Sequence, residues 1–216
     1  GSAVTEILAR TGSRLDAVFH NGAYSQPGAV EDLGRDVLRR QFETNLFGWH
    51  ELNNLVLPVM RAQGHGRIIY NSSVLGFVAM RFRGAYNASK FALEGLVDTL
   101  RLELRGTDIH AVLIQPGPIA TDFRRKSRPH FERWIDWQTS ARRPDYEATV
   151  LPRLYDESGR RDPFQLPPSA VTKALVHALE ARRPKPRYPV TFPTRAVAVL
   201  KRILPTRAAD TIIARF

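Results

Sequence analysis

NSSVLGFVAMRFRGAYNASK, residues 71–90, is the stretch from which the rest of the chain can be read. It follows the short run Arg67-Ile68-Ile69-Tyr70, presents the pair Ser72-Ser73, crosses a connection containing Gly76, and ends with Tyr86 and Lys90. The apolar run reads as a buried strand. The pattern from Gly84 onward, with Leu93, Leu96, Val97, Leu100 and Leu104, reads as an amphipathic helix. Helix residues four apart share a face, which puts Lys90 one turn from Tyr86. Two unit charges roughly 4 Å apart interact by about 4 kcal/mol at an effective dielectric of about 20, enough to pull a tyrosine toward ionising near neutrality. The expectation is a Tyr86 that works as a general acid or base under the influence of Lys90.

In this order and spacing the residues resemble the active-site signature of the short-chain dehydrogenase/reductase family, classical type. Its Tyr-x-x-x-Lys pair matches Tyr86 and Lys90, and its serine, thirteen residues before the tyrosine, matches Ser73. Ser72 faces the other way by strand alternation and reads as structural. Asn45, in Phe42-Glu43-Thr44-Asn45-Leu46-Phe47-Gly48, matches the family's fourth polar residue, and Pro116-Gly117-Pro118-Ile119-Ala120-Thr121 looks like its Pro-Gly-x-x-x-Thr segment. His20-Asn21-Gly22-Ala23-Tyr24 is similar to its Asn-Asn-Ala-Gly strand end, with His20 in place of the first asparagine and Gly22-Ala23 inverting the small pair.

The resemblance implies an oxidoreductase that passes a hydride between a nicotinamide cofactor and an alcohol or carbonyl. Ser73 would donate to the substrate oxygen, Tyr86 would move the proton, and Lys90 would lower the Tyr86 pKa and bond the nicotinamide ribose. Asn45 would hold a relay water. Cofactor contacts are implied at Asn21, Gly22, Ala23, Tyr86, Lys90, Pro116, Gly117 and Thr121, with Gly117 allowing close backbone approach. The cofactor is NAD(P)(H). NAD versus NADP stays open, because the residue that reads the ribose 2′ position belongs to a family segment without a counterpart here. In the family the two long helices commonly pair with those of another subunit, so a homodimer or homotetramer is implied.

The fold class expected is α/β, a doubly wound Rossmann-type parallel sheet with flanking helices, whose N-terminal βαβαβ portion is missing or incomplete. No Gly-x-Gly-x-x-Gly occurs, and neither does the family's Thr-Gly-x-x-x-Gly-x-Gly. Truncation, disorder or natural loss of the leading part are the three explanations, ranked in that order on the tag-like Gly1-Ser2. Without the phosphate-binding turn the chain as given is expected to bind cofactor weakly and be nearly inactive. The alternative is therefore a non-catalytic or truncated module of the same fold.

Residues 1–216 read as a single partial domain. Leu15 to Phe19 and Ile109 to Gln115 are further buried strands, and Val30 to Gln63 is one or two helices closed by Gly64. Residues 124–166 form a substrate-lid insertion and 167–216 the C-terminal helices, with an edge strand within Pro184 to Val190 because prolines exclude a central place. Lid aromatics such as Phe131, Trp134, Trp137 and Tyr146, together with Val74, Leu75, Phe77 and Phe82, fit either a bulky apolar alcohol or carbonyl, such as a steroid, retinoid or fatty aldehyde, or the lid's own core. The stretch Arg195 to Phe216 fits packing on the domain better than binding to a membrane surface.

Composition narrows the classes. With 43% hydrophobic and 25% charged residues the chain suits one globular domain. The net charge of +11 comes mostly from scattered arginine without an arginine-aromatic array, which argues against nucleic acid. Zero cysteines exclude thiolate metal sites and favour a reducing cytosol, and the six histidines lack ligand spacing, so no metal is expected. The localisation expected is cytoplasmic.

Overall fold

The computed structural model describes residues 1–213. Four parallel strands lie in the order β1-β2-β3-β4: β1 is Ala17–His20, β2 is His65–Asn71, β3 is Asp108–Gln115 and β4 is Arg187–Pro189. Parallel neighbours need crossovers, and each crossover here is helical. Helix α1, Ser2–Arg10, precedes the sheet. Between β1 and β2 run α2, Arg35–Phe42, a π-type turn over Glu43–Phe47, and α3, Gly48–Gln63, in one continuous path. Gly64, left-handed at φ 83°, ends it. The helical reading from Val30 is corrected: Val30–Asp32 is a single 3₁₀ turn, and extended Leu33 and Gly34 separate it from α2.

Helix α4, Gly84–Glu103, joins β2 to β3. After β3 come α5, Phe123–Trp134, then α6, Arg143–Asp145, a second π-type turn over Tyr146–Val150, and α7, Leu151–Leu154. Helix α8, Ser169–Glu180, returns to the sheet ahead of β4. Helices α9, Phe192–Ile203, and α10, Thr206–Ile213, follow it; Ala214 to Phe216, the end of the expected C-terminal stretch, lie outside the described residues. Among the described residues no helix is long and apolar enough to cross a membrane.

The near-continuous apolar strands have two buried faces, as a doubly wound sheet requires. Ile68, Tyr70, Ala111 and Leu113 pack with Trp49, Val56 and Met60 of α3 and Leu93 and Val97 of α4. Ile69, Val112 and Ile114 turn to the opposite face and meet Ala178, Val171 and Leu175 of α8. Alternation along β2 and β3 thus feeds two layers. The segment 124–166 has a separate core of Phe131, Ile135, Tyr146, Val150 and Leu154. Its ends are stitched together where Ala120 N donates to Leu166 O and Leu166 N donates to Pro118 O. Helix α9 is held to the domain by Arg195 donating to Pro189 O and by Lys201 against Phe77 O and the Phe91 ring, while Phe192, Val199 and Ile203 are exposed.

Candidate active site

At the carboxyl end of β2 the chain turns sharply. Ser73 is extended, and its hydroxyl accepts from Leu75 N at 3.1 Å, capping the one-turn helix Val74–Gly76. Ser72 is buried and donates to Glu94 Oε1 at 2.6 Å, so the adjacent serines serve different surroundings. Val74 N donates to Pro116 O at 2.8 Å, which ties the serine turn to the Pro116-Gly117 turn at the end of β3. Two strand ends are thereby joined at one mouth, where open α/β sheets take their ligands.

Helix α4 supplies the other groups. Tyr86 is buried in its first turn, its ring edge-to-face with Phe123 of α5 at 5.6 Å. Lys90 is 1% exposed, donates to Asn71 O at 2.7 Å and stands 5.7 Å from the centre of the Tyr86 ring. Asn71 in turn donates to Asn21 Oδ1 at 2.7 Å, so Asn21, Asn71 and Lys90 form a chain across β1, β2 and α4. Asn45 is fully buried in the π-type turn. It accepts from Tyr24 N at 3.2 Å and donates to Tyr24 O at 3.0 Å and to Ser89 Oγ at 3.2 Å. A widened turn of this kind re-aims one residue relative to a regular helix, and here it aims the carboxamide at the loop after β1.

The electrostatics overturn one expectation. Burial, the largest influence, pushes the Tyr86 phenol up to about 12; the Ser73 hydroxyl beside it and the Arg83 charge pull the other way. Burial also drives Lys90 down to about 7, against the opposing pull of the Glu94 carboxylate. The lysine therefore does not bring the phenol toward neutrality in this structure: withdrawal from water is the largest influence on both groups.

The remaining residues of the expected set fall in two groups. Asn21 and Gly22 are exposed at the end of β1, and a Cβ built on Gly22 would meet nothing within 4 Å. Gly117 differs: its Cβ would lie 2.2 Å from Thr191 Oγ1 and 2.6 Å from Thr194 Oγ1. Glycine is needed there for packing against the start of α9. Thr121 is exposed, and its hydroxyl accepts from Phe123 N at 3.4 Å at the start of α5.

Three neighbours escaped the sequence reading. Trp49 places its ring 4.5 Å from Lys90 Nζ and donates to Gly22 O at 3.0 Å; in the sequence it was one more apolar residue of a stripe. His20 is buried, stacked on both Trp49 and Tyr70 in a three-ring cluster, and paired with Asn53 at 2.8 Å, with its imidazole pKa lowered by burial. Its place at a family asparagine position was the available signal. Glu94 was visible as a polar residue four positions beyond Lys90 on the same face.

A wholly parallel sheet covered on both faces, with a hydroxyl, a phenol and an amine at its carboxyl edge, defines an α/β protein of the dinucleotide-binding architecture. Comparisons narrow this. The short chain dehydrogenase family model matches residues 2–132. Uncharacterized oxidoreductase YbbO of Escherichia coli (strain K12) is 39% identical over 211 residues, 98% of this chain and 71% of that one. Retinol dehydrogenase 8 of Homo sapiens is 29% identical over 205 residues, 93% of this chain and 64% of that one. Among solved structures, a short-chain dehydrogenase from Streptomyces avermitilis has a TM-score of 0.73 at 26% identity, covering 97% of this chain and 72% of its own. The chain belongs to the short chain dehydrogenase family.

Proposed function

We propose that the protein is a nicotinamide-dependent oxidoreductase in which Tyr86 gives a proton to, or takes one from, an alcohol or carbonyl substrate. The observation that carries this reading is Ser73 beside the Tyr86 phenol, with Lys90 one turn further along α4, at the mouth between β2 and β3. A phenol held at about 12 keeps its proton at neutral pH, which suits donation to a carbonyl oxygen. Ser73 is half-buried at the turn, and a hydroxyl aimed at that oxygen as charge grows on it supplies about 3 kcal/mol of barrier lowering.

The residues fit a nicotinamide cofactor. Lys90 uses one of its three donors among the described residues, Asn71 Oδ1 is buried without a partner, and Gly22 opens onto free space. An amine and amide oxygen of this kind suit ribose hydroxyls. Bound there, the cofactor supplies or accepts the hydride. Lys90 and Tyr86 would hold the ribose, Asn21, Gly22 and Ala23 would line one side, and Pro116, Gly117 and Thr121 the other. Asn45, through Tyr24, fixes the loop that forms the first wall, and in this reading it also orders the proton path behind Lys90; an Asn45→Ala enzyme with full turnover would remove that role.

The substrate is lipophilic in this reading. Most lid aromatics are spent on the lid's core, but half-buried Val74, Leu75 and Phe77 surround Ser73, and Phe123 flanks Tyr86. The kinship with a retinol dehydrogenase points the same way. Exposed Leu55 on α3 and Leu102 on α4 support pairing with a second copy. The test is isotopic: with a nicotinamide deuterated at its 4-position and decanal as acceptor, deuterium should appear on the carbinol carbon. Failure to transfer it to any of a panel of aldehydes and ketones sinks the proposal, and preference for small polar ketols sinks its lipophilic part.

The second reading, a module that does not turn over, rests on the sequence having no glycine-rich phosphate turn. Titration of NADH or NADPH fluorescence against this chain decides it: weak binding supports it, and tight binding removes it.

A further inference from the structure

One buried carboxylate touches both turns of the site, and neither the proton transfer nor the hydride transfer calls on it. Glu94 is 7% exposed. Its Oε1 accepts from Ser72 Oγ at 2.6 Å and from Gln115 Nε2 at 3.0 Å, and its Oε2 accepts from the same amide at 3.0 Å and from Arg187 Nε at 3.2 Å. Every contact is a donor, which matches an ionised carboxylate with its lone pairs engaged. Ser72 precedes Ser73, Gln115 precedes Pro116-Gly117, and Arg187 opens β4. One side chain on α4 thus grips the ends of β2, β3 and β4 together. The site is sealed as well: a Cβ on Gly76 would lie 2.8 Å from Ser72 Oγ and 2.9 Å from Glu94 Cγ, so the turn after Ser73 closes directly over the pair.

The helix register adds a second relation. Tyr86, Lys90 and Glu94 follow at i, i+4 and i+8 on one buried face of α4. The groups around the Lys90 amine are Tyr86 and Glu94 from its own helix, the Trp49 ring from α3 and the Asn71 carbonyl from β2; around the carboxylate stand Arg187 of β4, itself paired with Asp98 at 2.5 Å, and Arg101 bonded to that same aspartate.

We infer that Glu94 is a positioning residue of the active site: it locks the Ser73 and Pro116-Gly117 turns to helix α4 and, one helical turn from Lys90, is the carboxylate that favours the cationic form of that amine. This rests on the oxidoreductase reading only for its kinetic consequence. The electrostatic half rests on the i, i+4 register that places both groups on one buried face of α4, where the Glu94 carboxylate opposes the burial that depresses Lys90.

The experiment compares the protein with Glu94→Gln, which keeps the shape and removes the charge. Only five lysines, at 90, 126, 173, 185 and 201, contribute to a ¹³Cε-lysine NMR titration, so Lys90 can be assigned with a Lys90→Met control. The Lys90 midpoint should fall by about one pH unit in Glu94→Gln while the other four stay in place. In the active protein, kcat for decanal reduction should drop about tenfold or more at neutral pH, with the pH profile displaced in the same direction as the midpoint. A stationary Lys90 midpoint, or kcat within twofold of the parent, overturns the inference. If Glu94→Gln does not fold, Ser72→Ala removes one strut only and should lower kcat about fivefold without shifting the melting temperature by more than a few degrees; unchanged kcat overturns the positioning role. A parent protein that reduces no carbonyl refutes the oxidoreductase reading, while the NMR titration still decides the Lys90–Glu94 pairing.

Discussion

Lys90 Nζ lies 4.5 Å from the centre of the Trp49 ring, closer than the 5.7 Å that separates it from the ring of Tyr86. The lysine is therefore walled by an indole on one side and the phenol on the other, and the same indole donates to Gly22 O. Trp49 thus joins the amine to the end of β1, beside the link that runs through Asn71 to Asn21.

Removing that wall has a measurable cost. Trp49→Leu loses a large buried ring, its stacking on His20 and a cation–π contact worth about 1 kcal/mol, and should destabilise the fold by about 3 kcal/mol in urea unfolding. Trp49→Phe keeps a ring and loses the Gly22 bond, for about 1 kcal/mol. Equal losses in the two variants would show that the ring contributes little.

The buried lysine makes stability depend on pH. Its folded pKa of about 7 lies below the unfolded value of 10.5, so between those limits the unfolded chain holds the extra proton. Stability then rises with pH across that window, by at most about 1.4 kcal/mol per unit, and the full penalty applies below it. Urea midpoints at pH 6, 8 and 9.5 should climb for the parent relative to Lys90→Met, which itself should be the more stable of the two at pH 6. Parallel midpoints for both proteins would contradict the depressed pKa.

Two glycines of the site should respond in opposite ways to alanine. Gly22→Ala meets open space and should leave the melting temperature within about 1 °C while weakening nucleotide binding. Gly117→Ala drives a methyl into Thr191 and Thr194 and should cost about 2 kcal/mol, with part recovered by adding Thr191→Ala. Thermal unfolding and nucleotide titration of the two variants separate these roles.

A polar latch ties the segment 124–166 to the loop after β1. Tyr146 donates to Asp32 Oδ2 at 2.6 Å and accepts from Ala29 N at 2.7 Å, and Ser140 donates to the same carboxylate. Tyr146→Phe leaves a buried amide without its acceptor and should cost about 2 kcal/mol. Limited proteolysis between Tyr155 and Asp162 should accelerate; an unchanged cleavage rate would mean that the apolar lid core suffices.

Much of this architecture is legible in the residues themselves. Continuous apolar runs at β2 and β3 announce strands buried on both faces, and Pro186 and Pro189 place β4 at the sheet's edge. The Ser73, Tyr86 and Lys90 spacing foretells that these three residues come together, because strand end and helix start are rigid. The widened turn at Asn45 is hidden, since the apolar spacing from Phe42 to Trp49 passes through it without interruption. The direction of the Tyr86 shift is hidden too: adjacency of Lys90 follows from sequence, but the burial of the pair depends on Trp49 and Phe123, which are brought in by the fold. Glu94 reads as an ordinary helix-surface acid until Ser72, Gln115 and Arg187 converge on it.

The most direct test of the catalytic role of Tyr86 is the reduction of decanal by NADH and NADPH in the intact protein and in Tyr86→Phe. The variant should unfold at the same temperature within a few degrees, still bind nucleotide with a loss of less than about tenfold, and lose about a thousandfold in kcat/KM. A folded, nucleotide-binding Tyr86→Phe protein that retains kcat/KM within threefold of the parent would contradict it.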